Sequence, residues 1–273
     1  MFKWNKLENN SKIIMNIAVC VKQVPDTADI KWTEHNTIQR EGVESIINPF
    51  DSYALETALR LKDKDSAVKI TALTMGPLQA EEIIRRAISM GVNGGFVVSD
   101  RKFAGADTVA TGRTLATAIK AKIENAEIVL CGQFATDGDT AQTGPTISTN
   151  LGYALVTYVK EIEKVENGYA IVKREVEDGV ETLKVELPAV LCMLKCDYEP
   201  RRPLINGFKL AQNSEIPFYS HEDIGIEPEA VGLKGSPTCV SKAFRPKQKT
   251  CGEIFENISA DNAVEKILEV LNG

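Results

Sequence analysis

Between Cys131 and Leu151 the chain reads CGQFATDGDTAQTGPTISTNL. Thr136, Asp137, Gly138, Asp139, Thr140, Gln142 and Thr143 crowd hydroxyls, carboxylates and an amide onto little bulk. That composition can hold phosphate or ribose through main-chain N–H groups and short side chains. It equally describes a solvated loop with Asp139 or Thr140 as the N-cap of a following helix. Lys22, in KQVPDT, is a second candidate: a cation at the end of an apolar run suits an acidic ligand, and also an ordinary solvated edge. Thiols and imidazoles offer less. Cys192 and Cys196 fall in what reads as one strand, pointing the same way but too far apart to share a ligand set, and the chain has only 2 histidines, His35 and His221, so no metal is expected. His35, beside Glu34 and Asn36, reads as a surface residue.

Other chemistries are missing. No GxxxxGK[ST] is present, and the glycines of MGVNGG (90–95) precede a strand rather than follow one, so neither a Walker loop nor a dinucleotide fingerprint is supported. No Ser/His/Asp or Cys/His/Asp set can be assembled, which sets hydrolase and kinase chemistry aside. With 273 residues, 43% of them hydrophobic, the chain can bury a substantial core, and its formal net charge of -6 argues against nucleic acid as a partner. The 6 cysteines are scattered and follow no secretory segment, so free thiols in a reducing cytoplasm are expected. No apolar run approaches the roughly 18 residues of a membrane span.

These groups need a frame. IIMNIAVCV (13–21) is β-branched and nearly continuous, as a strand buried on both faces should be. Pro25 ends it, and a polar excursion through Trp32, His35 and Arg40 follows. Asn48-Pro49 then breaks the chain, Asp51 or Ser52 can cap a helix, and Ala54, Leu55, Ala58, Leu59 and Leu61 form its inward stripe. A strand at 68–75, a helix at 78–90 with Ile83, Ile84, Ala87 and Ile88 inward, a strand at 95–100, a helix opened by Asp107 and Thr108, and a strand at 127–131 complete a βαβ alternation. The expected fold is therefore α/β: an open, mostly parallel twisted sheet with helices on both faces. After Tyr153, Asn167-Gly168 and Asp178-Gly179 mark a small antiparallel hairpin region. KCDYEPRRPLINGFKLAQN has neither helical nor strand period; it reads as a surface loop, or, given Leu204, Ile205 and Phe208, as a docking site for another protein. Three parts are expected: 1–14, a loose extension with Met15 as an alternative start; 15–219, the α/β domain; and 220–273, an arm with the basic patch SKAFRPKQK and a closing amphipathic helix capped by Ser259, lying on a partner or mobile.

Taken together, KQVPDT, NPFDSYALETALRLK, the GP of MGP, CGQFATDGDTAQTGP and KREVEDGVETLKVELPAVL followed by EPRRP resemble the β subunit of electron transfer flavoproteins, from about Met15 to the C-terminus. The resemblance implies a heterodimer in which the arm embraces a flavin-carrying α subunit. It implies an adenine nucleotide beside Cys20 and Lys22, Asn48 to Asp51, Met75, and the run Gly132, Gln133, Phe134, Ala135 and Thr136 through Thr143. Ordinary members hold AMP there; bifurcating members hold FAD, and the VKQVPDT and TDGDTAQTGP wording is similar to the bifurcating kind. Asp107, Thr108 and Thr111 would then flank the flavin or incoming NADH. Electrons would go to ferredoxin or flavodoxin and, through the α-subunit FAD, to or from a dehydrogenase of acyl-CoA or 2-hydroxyacid type, docked at Leu204 in preference to Ile205. From another class, an ATP-using enzyme or sensor on a related fold remains open, as does a structural partner with an empty crevice.

Overall fold

A computed structural model describes residues 15–26, 45–241, 252 and 254–272. Trp4, Trp32, His35, Arg40 and nearly all of the basic patch lie outside them. Five strands form the parallel centre: β1 (Asn16–Cys20), β4 (Lys69–Met75), β5 (Gly94–Val98), β6 (Ala126–Gly132) and β10 (Ala189–Met193). Their order in space is β5-β4-β1-β6-β10, so the chain steps outward from β1 to β5 and then returns to lay β6 on the other side of β1. The reversal places a topological switch point between β1 and β6. β1 is buried on both faces as its sequence requires: Ile17 and Val19 enter one core, Ala18 and Cys20 the other.

The helices split accordingly. α1 (Pro49–Lys64) and α2 (Glu81–Met90) share the first core through Ala54, Leu55, Ala58, Leu59, Leu61, Ile83, Ile84, Ala87 and Ile88. α3 (Thr108–Lys122) and α4 (Thr143–Leu151) cover the second through Leu115, Ile119, Ile147 and Leu151. The inward stripes of α1 and α2 are those the spacing predicts. A separate antiparallel pair, β2 (Gln23–Pro25) on β3 (Ser45–Ile47), leads into α1, so Pro25 is the last paired residue of a second short ladder.

β7 (Ala154–Glu166) runs parallel to β10 over its first half and antiparallel to β8 (Tyr169–Val176) over its second, and β8 pairs with β9 (Gly179–Glu186). Asn167 and Gly168 both have positive φ, 50° and 78°, the I′ geometry that Asn-Gly favours.

Two expectations fail beyond β10. The stretch read as aperiodic contains α5 (Ile205–Asn213), which buries only Ala211. Its apolar residues face away from the core, so no inward stripe announces it. β11 (Phe218–Tyr219) adds to β5, and the segment from Ser220, read as the start of an arm off the core, then forms α6 (His221–Ile224) and sends Ile224, Ile226 and Val231 into the second core. A Ser220–Asp223 capping box opens α6. Only later does an exposed element follow, α7 (Ala260–Asn272), with Ser259 Oγ accepting from the Asn262 amide at 3.3 Å.

Candidate functional site

The loops after β1 and β6 meet at the switch point, and the first turn of α1 joins them. Asp51 Oδ2 accepts from the Lys22 amide at 2.7 Å and Oδ1 from the Gly132 amide at 2.8 Å, so one carboxylate spans the carboxyl ends of both strands. Asn48 Nδ2 donates to the Phe134 carbonyl at 2.7 Å, and its Oδ1 accepts from the Thr136 amide at 3.3 Å. Lys22 Nζ reaches Asp137 at 2.6 Å. The sequence suggested Asp51 or Ser52 as the cap of α1, and neither residue takes that place. Asn48 is the N-cap residue without a side-chain cap bond, Pro49 takes the first turn where its missing N–H costs nothing, and the Asn48 and Asp51 side chains turn to the crevice loops. Asp51 is buried. Burial pushes its carboxyl up to about 7, although the Lys22 amide, the Asn48 side chain and the Gly132 amide all favour the ionised form.

Gly132 has to be glycine: a Cβ there would overlap the Asp51 carboxylate and Phe50, and would sit 2.9 Å from the Asp51 nitrogen. The loop then turns at 135–139, where the Asp139 amide donates to the Ala135 carbonyl at 2.8 Å. Asp139 and Ala141 have positive φ, and neither Asp139 nor Thr140 caps α4. The N-cap residue is Gln142, with no side-chain cap bond. Pro145 has no N–H, and the amides of Thr143 and Gly144 find no acceptor among the described residues. The open end of α4 thus offers donors and a partial positive charge on the crevice side.

Other expected site residues have structural work. Gln133 is buried; its amide donates to Met193 and its Oε1 accepts from the Tyr158 amide at 2.7 Å, tying β6 to the kink in β7 where Tyr158 has φ 60°. Phe134 packs edge-on to Phe50 and Tyr158, with centroids at 5.5 and 6.0 Å. Cys20, at the end of β1, is buried, and burial with the nearby Asp51 charge drives its thiol upward. Met75 ends β4 on the same rim. Asp107, Thr108 and Thr111 begin α3, and no hydrogen bond joins them to the 132–143 loop among the described residues. Asp107 Oδ1 caps Val109 and Ala110, while Oδ2 accepts from the amide and hydroxyl of Thr238 at 3.0 and 2.8 Å.

Three features escaped the sequence reading. Cys131 and Cys192 face each other on β6 and β10 with sulfurs 3.7 Å apart, and Gly144 of α4 lies directly on them, leaving no room for a Cβ. Contact with Cys192 and burial push the Cys131 thiol up. Cys196 does not share a strand face with Cys192: it lies beyond β10 and enters the opposite core. His221 is buried, Nδ1 2.6 Å from Asp100 Oδ2 and Nε2 2.8 Å from Lys102 Nζ, a network that ties α6 to the turn after β5. Since ammonium can only donate, Nε2 accepts and Nδ1 donates to Asp100. Its partners lie more than a hundred positions away, which no local pattern reveals. Among the described residues no group of three His, Cys, Asp or Glu could hold a metal ion, and no helix is long and apolar enough to cross a membrane. A cavity of about 750 Å³ opens at the opposite, amino ends of the strands, lined by Asn16, Lys69, Gly94, Lys122, Glu124 and Glu127, and shares no residue with the crevice.

The family model for the electron transfer flavoprotein domain matches residues 35–215, which include the first turn of α1 and the loop after β6. The chain belongs to the electron transfer flavoprotein family. Several of its relatives in that family are named subunit beta. The electron transfer flavoprotein subunit beta of Megasphaera elsdenii is 44% identical over 266 residues, covering 94% of this chain and 98% of the relative. The caffeyl-CoA reductase-Etf complex subunit CarD of Acetobacterium woodii is 43% identical over 258 residues, with the same two coverages. The acryloyl-CoA reductase electron transfer subunit gamma of Anaerotignum propionicum is 38% identical over 265 residues, covering 93% of this chain and 98% of the relative. An electron-transfer role as a component of an oxidoreductase system follows for this β-type subunit.

Proposed function

We propose that this chain is the β subunit of a heterodimeric electron transfer flavoprotein of the bifurcating kind, holding FAD in the crevice at the carboxyl ends of β1 and β6. Held there, FAD would supply the chemistry of taking a hydride from NADH and passing electrons on singly, with a low-potential ferredoxin or flavodoxin and, through the α-subunit FAD, a flavin-dependent dehydrogenase as the acceptors. The observation that carries the reading is the convergence of Lys22, Asn48, Asp51 and the Gly132–Asp137 loop at the switch point, beside the uncapped start of α4.

These residues fit a nucleotide. The amides of Thr143 and Gly144 are free to donate to phosphate oxygens, and the Lys22 cation stands at the mouth. Gly138, with nothing within 4 Å of where its Cβ would lie, leaves the loop backbone open to close approach. Asn48 and Asp51 hold that backbone in place before anything binds. Asp107 has both oxygens committed, so it contributes the position of the α3 end, with Thr108 and Thr111, rather than a free carboxylate. Binding, orientation and exclusion of water are this subunit's tasks, and no side chain is required as acid or base. The exposed ridge at Leu204 and Ile205 docks the dehydrogenase, of acyl-CoA or 2-hydroxyacid type, and α7 with the arm before it lies on the α subunit. The free cysteines suit a reducing cytoplasm.

Quantifying flavin and nucleotide in the co-expressed heterodimer tests this. Two FAD per heterodimer, with NADH bleaching the flavin absorbance, is the expected result. One FAD with one AMP would assign a non-bifurcating carrier and overturn the NADH step; ATP turnover by the isolated chain would move the protein to a different class.

A further inference from the structure

α5 is nine residues long and buries one side chain, Ala211, while Leu204 is 75% and Ile205 89% exposed and Phe208 and Leu210 are also open. A helix this short with so little burial frays in water unless something else holds it. Both of its ends and its middle are held. Before it, the Arg201 amide and guanidinium bind the buried Glu56 at 2.9, 2.8 and 3.0 Å, and the guanidinium also reaches Asp63 at 2.6 Å. At its carboxyl end Arg85, from α2, donates to the carbonyls of Ala211, Gln212 and Ser214, the groups a helix leaves without partners, while Glu81 orients the guanidinium. In the middle, Gly207 rests on the Ser89 carbonyl of α2 with no room for a Cβ. The two helix backbones touch there.

We propose that Gly207 and Arg85 are positioning residues for redox-partner docking: they fix the pose of α5 so that Leu204, Ile205 and Phe208 form a finished ridge before the dehydrogenase arrives. The proposal rests on the docking reading above and goes further, naming residues that never touch the partner. A methyl at 207 would overlap the Ser89 carbonyl and lift the ridge off α2. Loss of Arg85 would release three carbonyls and the last turn. Ordering the ridge in advance removes that entropic cost from the encounter, so its loss falls on association rather than on later electron transfer.

The test uses the intact heterodimer as the varied acceptor of a purified acyl-CoA dehydrogenase and its acyl-CoA, with wild type, L204D, G207A, R85A and R85K. G207A is expected to raise KM about tenfold and R85A several-fold at unchanged kcat. R85K should recover only part, because an ammonium cannot fork across three carbonyls. Flavin content and melting temperature exclude unfolding as the cause, and R85A probes the mount without a steric clash. If wild type is reduced neither by this enzyme nor by a 2-hydroxyacid dehydrogenase, or L204D leaves KM unchanged, the docking reading fails. If L204D raises KM while G207A and R85A do not, the positioning role fails and docking stands. Independently of any partner, hydrogen exchange at the amides of 208–213 should be slow in wild type and faster in R85A; fast exchange in both overturns the proposal.

Discussion

Two buried carboxylates on α1 meet opposite fates. Asp51, in the first turn, has no guanidinium on it and is held by the backbone amides of Lys22 and Gly132 with the Asn48 side chain beside them. Glu56, just over one turn later, is clasped by Arg201 through its main-chain N–H and the Nε and Nη2 of its guanidinium. The first closes the crevice; the second anchors the chain entering α5. A single helix therefore sets both the ligand-facing rim and the partner-facing ridge. The contrast teaches that an amide-held carboxylate leaves its site responsive, whereas an arginine-held one locks it.

The sharpest way to break the comparison is Glu56→Ala, which leaves Arg201 without its buried counter-charge. A loss of about 2–3 kcal/mol in urea unfolding is expected, since Arg201 keeps Asp63, and the Glu56→Ala/Arg201→Ala double variant should lose less than the sum of the single variants. An additive result would show that the pair is not coupled. Asp51→Ala, which orphans two amides that water can partly reach, should cost about 2 kcal/mol and release nucleotide from the heterodimer. The pH response separates the two more finely. An acid raised in the folded state binds protons more tightly folded than unfolded, so Asp51 makes stability fall as pH rises from its unfolded value, about 4, to about 7, with no further change above. Asp51→Asn should flatten that slope in urea midpoints measured across the window; an unchanged slope assigns it elsewhere. Asp100 acts oppositely. Burial opposes its ionisation, but the Lys102 amide and His221 outweigh it and hold the carboxyl below the usual range, so its contribution is present above about 4 and lost as pH falls further. The smallest effect belongs to Ser259→Ala, about 0.5–1 kcal/mol on α7 and read as reduced helicity at 222 nm, with the crevice untouched.

What was legible in the sequence follows from what local pattern encodes. Strand β1 declares itself because a strand buried on both sides must be apolar throughout, and α1 and α2 because their stripes face the core. The crevice loop was visible as a cluster of small polar residues after β6. The division of labour within it was not: Asp51 and Asn48 read equally well as helix-start residues, and only the 81 and 86 positions separating them from Gly132 and Phe134 in sequence, closed by the fold, reveal the staple. α5 was missed because Pro203, Asn206 and Gly207 look like turn formers. Gly207 is there for contact with Ser89, not for a turn. The packing of Ile224, Ile226 and Val231 was hidden by the Gly, Pro and charges around them.

The seat of Gly144 on the paired sulfurs of Cys131 and Cys192 has a practical corollary. A maleimide can reach either thiol only in molecules whose α4 has momentarily risen, so alkylation runs at the pace of that rise. The protein thereby carries its own stopwatch for the breathing of the crevice rim, and occupancy by a nucleotide clasped at the start of α4 would slow it.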